Sequence, residues 1–565
     1  MAFGVRPSRF HRIGEPPSEP AKPAESRGPG RESEGRESAL RQLVEFFACL
    51  IMAVAIFKAF GAEGYQISTG SMAPTLLGHH KWGVCSSCRY RFAVGVSQGR
   101  APAMMDCPNC GLEGIDLRGA PVSEGDQLLV HKTAFEFRAP RRWEVVVFRN
   151  PGLPTEAYVK RLVGLPGETI EIREGDIYAD GTIQVKDLET QREMRIPVYN
   201  HEFAPPSREG WQSRWVPDPG WKADFSSYRF ALPASAGEAA AGSSRSPSWL
   251  TYRHWIRAGG NHVTRISLPD WPDDVDLGSL GATPLRYDAE EGMLVCRGAL
   301  GESLRDTLRQ QSRNQAFQQA LERLYVASHV APITDAYAYN RPGSGGGGTE
   351  ELRDFALELQ LEYHGGKGRF LLQITDGRKA FTCVFDFERN EVRLEDGSDQ
   401  PLRVAPLPGA ILAGPARVEL SLMDRQVLLA VGGEPVFEPW SYPLPSRIGP
   451  PPRRPVRVGA DGVQVTVGNL ILYRDVYYLP DGPRGETRQY ALSDAPGAEE
   501  YFVVGDNSPV SIDSRVWPAD QKMHRRLFIG KPFVVHLPTR AQSVQLGRWK
   551  ANIRIPEVSR IRYIR

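Results

Sequence analysis

Three short segments, far apart in the chain, hold residues that could do chemistry together. At 69–76 the sequence reads Thr-Gly-Ser-Met-Ala-Pro-Thr-Leu. Pro74 fixes its own φ and restricts Ala73, so the chain turns sharply just after Ser71. Such a turn can expose Ser71 Oγ and point its N–H outward, as a nucleophile requires; a plain loop reads the same way. At 157–167, Lys160 lies within an apolar run, Ala-Tyr-Val-Lys-Arg-Leu-Val-Gly-Leu-Pro-Gly. Burial disfavours the ammonium and lowers its pKa, so a neutral amine there could take a proton from a serine hydroxyl. The same run fits a strand lysine pointing to solvent with Arg161 on the other face. At 505–515, Gly-Asp-Asn-Ser-Pro-Val-Ser-Ile-Asp-Ser-Arg is dense in residues that bond backbone groups in tight turns. Taken alone it is a polar loop whose Asp513 and Arg515 form a surface pair of small worth.

The elements that must hold these segments are mainly β. Gly125–Lys132, Trp143–Asn150, 157–167 and 168–181 show alternation or β-branched runs bounded by Gly, Pro and Asn. Ala179-Asp180-Gly181 predicts a hairpin turn. From about 200 to 475 the pattern changes. Trp211, Trp215, Trp221, Trp249, Trp255 and Trp271 crowd the first part, a helix is predicted over 302–327, and 341–351 reads as a glycine-rich linker. Alternating strands with regular turn signals then predict an antiparallel β-sandwich, similar in pattern to concanavalin-like or laminin-G-like jelly rolls. The tryptophans fit its core, or a platform for a glycan.

Cys85, Cys88, Cys107 and Cys110 give C-x2-C-x18-C-x2-C, the spacing of two knuckles that supply four thiolates to one tetrahedral zinc ion, as in a zinc ribbon over 81–119. Disulfides or a redox pair are the competing readings. Cys49, Cys296 and Cys383 read as buried apolar residues.

Residues 1–39, rich in Pro, Gly, Ser, Arg and Glu, predict a disordered segment. An apolar run, Phe46–Phe57, follows. Over 40–62 it reaches the length of a transmembrane anchor if Glu45 and Lys58 sit at the two interfaces, with Lys58 snorkelling. A core helix and a cleaved signal sequence remain open. Basic residues outnumber acids before the run, which places the N-terminus in the cytoplasm and the remainder of the chain outside. With 69 Lys+Arg against 67 Asp+Glu, nothing global points to nucleic acid.

In order, Ser71–Leu76 (S-M-x-P-T-L), Lys160–Glu168 (K-R-[IV]-x-G-x-P-G-[DE]) and Gly505–Arg515 (G-D-N-x-x-x-S-x-D-S-R) resemble the three motifs of the type I signal peptidases. Gly125–Lys132 looks like the strand that family carries between nucleophile and base. The resemblance covers 63–80, 120–182 and 485–545, under half the chain. It implies a β-rich serine endopeptidase domain with one N-terminal transmembrane helix, held at the outer face of the cytoplasmic membrane, that removes signal peptides from secreted precursors after a small-x-small motif. It implies Ser71 as nucleophile, Lys160 as general base, Thr69 as oxyanion donor, Ser511 as the hydroxyl orienting the lysine, Asp513 and Arg515 as a nearby ion pair, and Asp506 and Asn507 as shapers of the same loop. Ser508 departs from the arginine common at that position. Catalysis needs no cofactor, and a structural zinc is expected only at the cysteines. The implied partners are signal-peptide-bearing precursors and the lipid bilayer, not nucleic acid, with a glycan or protein ligand open for the sandwich. A self-cleaving repressor would want a DNA-binding domain that 1–63 does not suggest. A degenerate, membrane-tethered binding protein presenting the sandwich would not need the Ser71–Lys160 pair. Residues 546–565 read as a basic tail.

Overall fold

The structure is a computed structural model that describes residues 41–52 and 61–564, apart from 207–210, 232–245, 281, 341–349, 447, 481–487, 519–520, 537–538 and 547–548. The segment expected to be disordered, 1–39, lies outside the described residues, as does all but the end of the expected linker at 341–351.

The chain divides into two units, 1–61 and 62–565. In the first, residues 41–52 are helical, with Arg41 Nε donating to Glu45 Oε1 one turn on at 2.9 Å. Leu43, Val44, Phe46, Phe47, Leu50, Ile51 and Met52 are exposed on this helix. Cys49 is exposed as well, against the expectation that it is buried, because its neighbours on the helix leave it uncovered. Among the described residues no helix is long and apolar enough to cross a membrane, and 53–60 of the expected 40–62 span lie outside them.

In the second unit, an eight-stranded sheet carries the motifs. Its strands run in the order Ala62–Gln66, Gln127–His131, Phe528–Val535, Val145–Arg149, Ala157–Gly164, Glu500–Val504 and Met523–His524, with Arg562–Tyr563 pairing Phe528–Val535. Every neighbour is antiparallel. This sheet is covered on both faces, by Met72, Leu76, Leu128 and Val145 on one side and by Phe148, Leu162, Val503 and Trp517 on the other. A smaller sheet, Thr182–Ile183, Asp176–Ala179, Thr169–Arg173 and Gln489–Ala491, adjoins it in the chain. The predicted hairpin at 179–181 is a two-residue turn: Ala179 pairs with Thr182, and Asp180 and Gly181 both take positive φ, 50° and 76°, as a type I′ turn requires.

The region from Ile196 to Arg474 builds a fourteen-stranded sheet. Two long strands, Phe355–Thr375 and Val456–Arg474, are its spine. Drawn straight, the first would span about 70 Å. Yet Leu357, Leu359 and Leu361 near one end share a single core with Phe370, Leu372 and Ile374 near the other. The strands therefore bend, at register shifts around Tyr363–Arg369 where Gly366 and Gly462 hold positive φ of 104° and 68°. The helix expected over 302–327 is two helices, Glu302–Gln311 and Gln315–Ser328. The break falls at Ser312-Arg313-Asn314, because Asn314 turns its carboxamide oxygen to the Phe317 N–H, 3.1 Å, and so caps a new helix. Trp211, Trp215, Trp221 and Trp255 are buried in the core, while Trp249 lies under the Arg457 guanidinium, 4.2 Å from its centroid. The expected tail is also structured. Trp549–Pro556 pairs with Thr539–Leu546, Arg560 bonds the buried Asp126 at 2.7 Å, and Ile564 joins an apolar cluster, so charge pairing and burial tie 560–564 to the fold.

Candidate active site

The first strand ends at Gln66, and the chain then closes one helical turn: Ala73 N–H donates to Gly70 O at 3.1 Å and Leu76 N–H to Met72 O at 2.8 Å. Met72, Ala73 and Leu76 are almost fully buried and fix this turn to the sheet, which leaves Ser71 at its start half-buried. The Tyr339 ring lies so close to Gly70 that a Cβ there would clash with it.

Lys160 sits opposite Val146 in the strand register. Side chains alternate along a strand, so Lys160 and Arg161 face opposite sides of the sheet. Because both faces are covered, neither reaches solvent: Lys160 is 4 % exposed and Arg161 0 %. Lys160 Nζ lies 2.6 Å from Ser71 Oγ, although 89 positions separate them. Burial pulls the Lys160 ammonium down to about 8, against the weaker upward pull of Asp513 and Asp506 and with help from Arg515. Thr69 Oγ1 is 3.4 Å from Ser71 Oγ. The arrangement can pass a proton from a hydroxyl to an amine and leave a reactive alkoxide.

Arg161 enters the opposite face as a fork. Its Nε and Nη2 donate to Asp506 Oδ1 and Oδ2 at 2.8 and 2.7 Å, and Thr75 Oγ1 adds a 2.5 Å bond to the same carboxylate. Next in the chain, Asn507 grips the serine turn. Its N–H donates to Ser71 O at 3.0 Å and its Nδ2 to Gly70 O at 2.9 Å. Asp513 and Arg515 form a buried two-bond pair, both bonds 2.8 Å, as an ion pair near the site and not as a surface pair. The Arg515 guanidinium holds the Asp513 carboxyl below its ordinary range even though burial pushes it up. Ser508 has work of its own: its hydroxyl accepts from the Leu479 N–H at 2.8 Å and from Arg515 Nη1.

Thr69, Ser71, Lys160, Asp506, Asn507, Asp513 and Arg515 thus meet around one turn. Ser511 differs from expectation. It is buried beside Gly505, where a Cβ would meet both Ser511 and Ser71 O, but among the described residues its Oγ makes no hydrogen bond of normal geometry. It lies near enough to Asp513 to help hold that carboxyl ionised. Arg161, Thr75 and Asn340 were not anticipated as site residues. Asn340 exchanges two 2.8 Å bonds with the Asn507 carboxamide. Strand alternation hinted at the side Arg161 takes, but nothing in the sequence linked Asn340, in the long inserted region, to this turn.

Among the described residues, the four knuckle cysteines are free thiols, buried, and their Sγ atoms all lie within 4.8 Å of one another. Cys85–Cys110 and Cys88–Cys107 are 3.6 Å apart. That is far beyond the ~2.05 Å of a disulfide. It is close to the roughly 3.8 Å edge of a tetrahedron of sulfurs 2.3 Å from zinc. Cys88 N–H and Cys110 N–H point at Cys85 Sγ and Cys107 Sγ at 3.5 Å, as knuckles that stabilise thiolates do. The donor set fits zinc. Asn109 ties this module to the large insert, through Asn200 O at 3.1 Å and Phe203 O at 2.9 Å.

Residues 120–219 match the family model "Signal peptidase, peptidase S26", a segment that carries Lys160 but neither Ser71 nor 505–515. Among curated relatives, the "Probable signal peptidase I-1" of Synechocystis sp. is 31 % identical over 86 residues, 14 % of this chain and 42 % of that protein. The "Signal peptidase I" of Leptolyngbya laminosa is 39 % identical over 64 residues, 10 % and 31 %. That of Pseudomonas aeruginosa is 28 % identical over 155 residues, 27 % and 42 %. The chain spans less than half the length of these relatives. A solved galectin, LEC-6 of Caenorhabditis elegans, is 14 % identical over 25 % of this chain and 90 % of that one at a TM-score of 0.17. The likeness to the type I signal peptidases thus rests on the matched segment 120–219 and on relatives covered to less than half their length.

Proposed function

We propose that this protein is a membrane-bound serine endopeptidase that removes signal peptides from precursors, with Ser71 and Lys160 as its catalytic dyad. The observation that carries the reading is the 2.6 Å approach of a buried lysine amine to a serine hydroxyl on a sharp turn. Neutral Lys160 takes the Ser71 proton as Oγ attacks the carbonyl before the cut. The Ser71 N–H and the Thr69 hydroxyl hold the oxyanion. Lys160 then returns the proton to the leaving amine, which frees the mature protein, and activates the water that releases the signal peptide from the acyl-enzyme. No step draws on a cofactor. Val510, Ile512 and Val516 are exposed on the loop beside the dyad. Such an apolar rim, together with the apolar run at 46–57, suits a site set against the outer face of the cytoplasmic membrane, where precursors emerge. The test is cleavage of a purified precursor with a small-x-small site. The intact chain cuts at that site, and unchanged cutting by Ser71→Ala protein would end the proposal.

Thr69→Val removes one oxyanion donor while keeping the shape. We expect kcat to fall by roughly 10²-fold with KM little changed, read from initial rates on the same precursor.

For the cysteine module we propose a structural zinc held by Cys85, Cys88, Cys107 and Cys110. Purified protein should carry about one zinc per chain by elemental analysis. Cys88→Ser and Cys107→Ser should each lose it and unfold at lower temperature. Full metal content in both variants would refute the assignment.

A further inference from the structure

A cavity of about 790 Å³ lies beside the nucleophile turn without including Ser71 or Lys160. Three parts of the chain wall it. The turn contributes Pro74 and Leu77, the cysteine module contributes Trp82, Phe92 and Met105, and the large insert closes the rest. That size suits a small molecule of several hundred daltons, held by an apolar wall and a few placed polar groups.

Most of the charged groups here are basic. Arg214, Arg453 and Arg474 all line the cavity, together with His254 and His262. Arg214 and Arg474 are each 4 % exposed. Their guanidinium groups donate to backbone oxygens, Trp255 O and Val198 O for Arg214 and Asp475 O, Asp335 O and Ala336 O for Arg474, and that of Arg214 also lies 4.9 Å from the Tyr199 ring centroid. Among the described residues no carboxylate forms an ion pair with any of the three arginines. The acids on the wall are Asp106 and Glu351, and Glu351 is exposed. His254 feels Arg214, and His262 feels Arg453 and Glu351. His262 Nε2 is buried with no hydrogen-bond partner. Arg453 is exposed and Arg474 feels Asp335 and Asp475, so Arg214 is the guanidinium held out of water without an ion pair among the described residues, and an anion seated beside it would offset that cost.

We propose that this cavity binds a single-chain apolar anion, a carboxylate or phosphate monoester, with its head group near Arg214 and Arg453 and its chain against the apolar wall behind the nucleophile turn. The wall is shared with catalysis: Asn340, which also lines it, holds Asn507, and Asn507 holds Gly70 O and Ser71 O. An occupied cavity therefore bears on the turn that presents Ser71.

Calorimetric titration of the full chain tests this, with octyl phosphate, 1-octanol and inorganic phosphate as probes. Octyl phosphate should bind at least tenfold more tightly than either of the others, since each of them lacks one half of the recognised chemistry. Arg453 is exposed, so Arg453→Ala should keep the fold and weaken octyl phosphate about tenfold. Ala338→Phe should narrow the cavity and weaken it likewise, and melting curves of both variants should match the parent. Competition by anionic phospholipid vesicles would identify a bilayer lipid as the source, and its absence a free amphiphile. Equal binding of 1-octanol would overturn the proposal, as would unchanged affinity in both folded variants. Tighter binding of an acidic peptide that displaces the phosphate would also overturn it. The Ser71→Ala protein should bind octyl phosphate as the parent does, so the result stands apart from the peptidase reading.

Discussion

Replacing Lys160 by methionine is expected to abolish precursor cleavage, by about 10⁴-fold or more in kcat, while making the protein more stable at neutral pH. The two effects share one cause. The lysine amine is buried at the serine hydroxyl, and burial holds its pKa near 8 instead of the usual 10.5. Below that value the folded protein must carry an ammonium out of water. The unfolded chain binds this proton more tightly, so stability gained from deprotonation grows as pH rises from about 8 towards 10.5. At pH 7 the penalty is present in full, on the order of 3 kcal/mol for a shift of this size. Methionine fills the same space without the charge, so urea denaturation at pH 7 should show a gain of that order, shrinking as pH climbs through the window. Activity of the parent protein should follow the neutral amine: kcat/KM rises as pH passes about 8 and levels off above it. A flat profile between pH 7 and 10 would break the link between Lys160 and proton transfer. Ser71→Ala should lose activity to the same degree without the stability gain, and the double variant should be no worse than either single one, because the two groups act as a unit.

The second large effect lies on the other face of the same strand. Asp506→Ala is expected to destabilise the protein by about 3 kcal/mol, because it removes the two-bond carboxylate of the fully buried Arg161 guanidinium and leaves Glu193, at 3.4 Å, as its only carboxylate contact among the described residues. Arg161→Met should cost a similar amount by stranding the Asp506 carboxylate. The double variant, Arg161→Met with Asp506→Leu, removes both charges and should recover much of the loss. Urea denaturation of the three proteins reads this directly. Additive losses in the double variant would show that the pair is not coupled. Activity should fall in the Asp506→Ala protein more than its folded fraction explains. Asp506 precedes Asn507, whose backbone and carboxamide hold the carbonyls of Ser71 and Gly70.

Much of the site was legible because its parts are local. A serine before Met-x-Pro, a lysine in an apolar strand and a loop dense in Asp, Asn and Ser each depend on near neighbours, and their order along the chain made the family resemblance. The cysteine spacing was legible for the same reason, since each knuckle is four residues long. The two-residue turn at Asp180-Gly181 follows from which residues tolerate positive φ. The long bent strands were partly legible as alternation, but their folding onto one core was not, because a period of two says which face is apolar and not where a strand bends.

By itself the sequence determined which serine, lysine and loop residues could meet, the strands that carry them and the two paired cysteine knuckles, since these rest on local geometry and composition. Only the tertiary structure decided that both faces of Ala157–Gly164 are covered, and with that whether Lys160 is a solvated cation or a buried amine. It alone brought Asn340 of the insert to Asn507, left Ser511 Oγ without a hydrogen bond among the described residues, and gathered around one cavity three arginines that form no ion pair among the described residues. The reason is physical: pKa, ion pairing and cavity shape depend on what is excluded from water, and that is set by contacts between residues hundreds of positions apart.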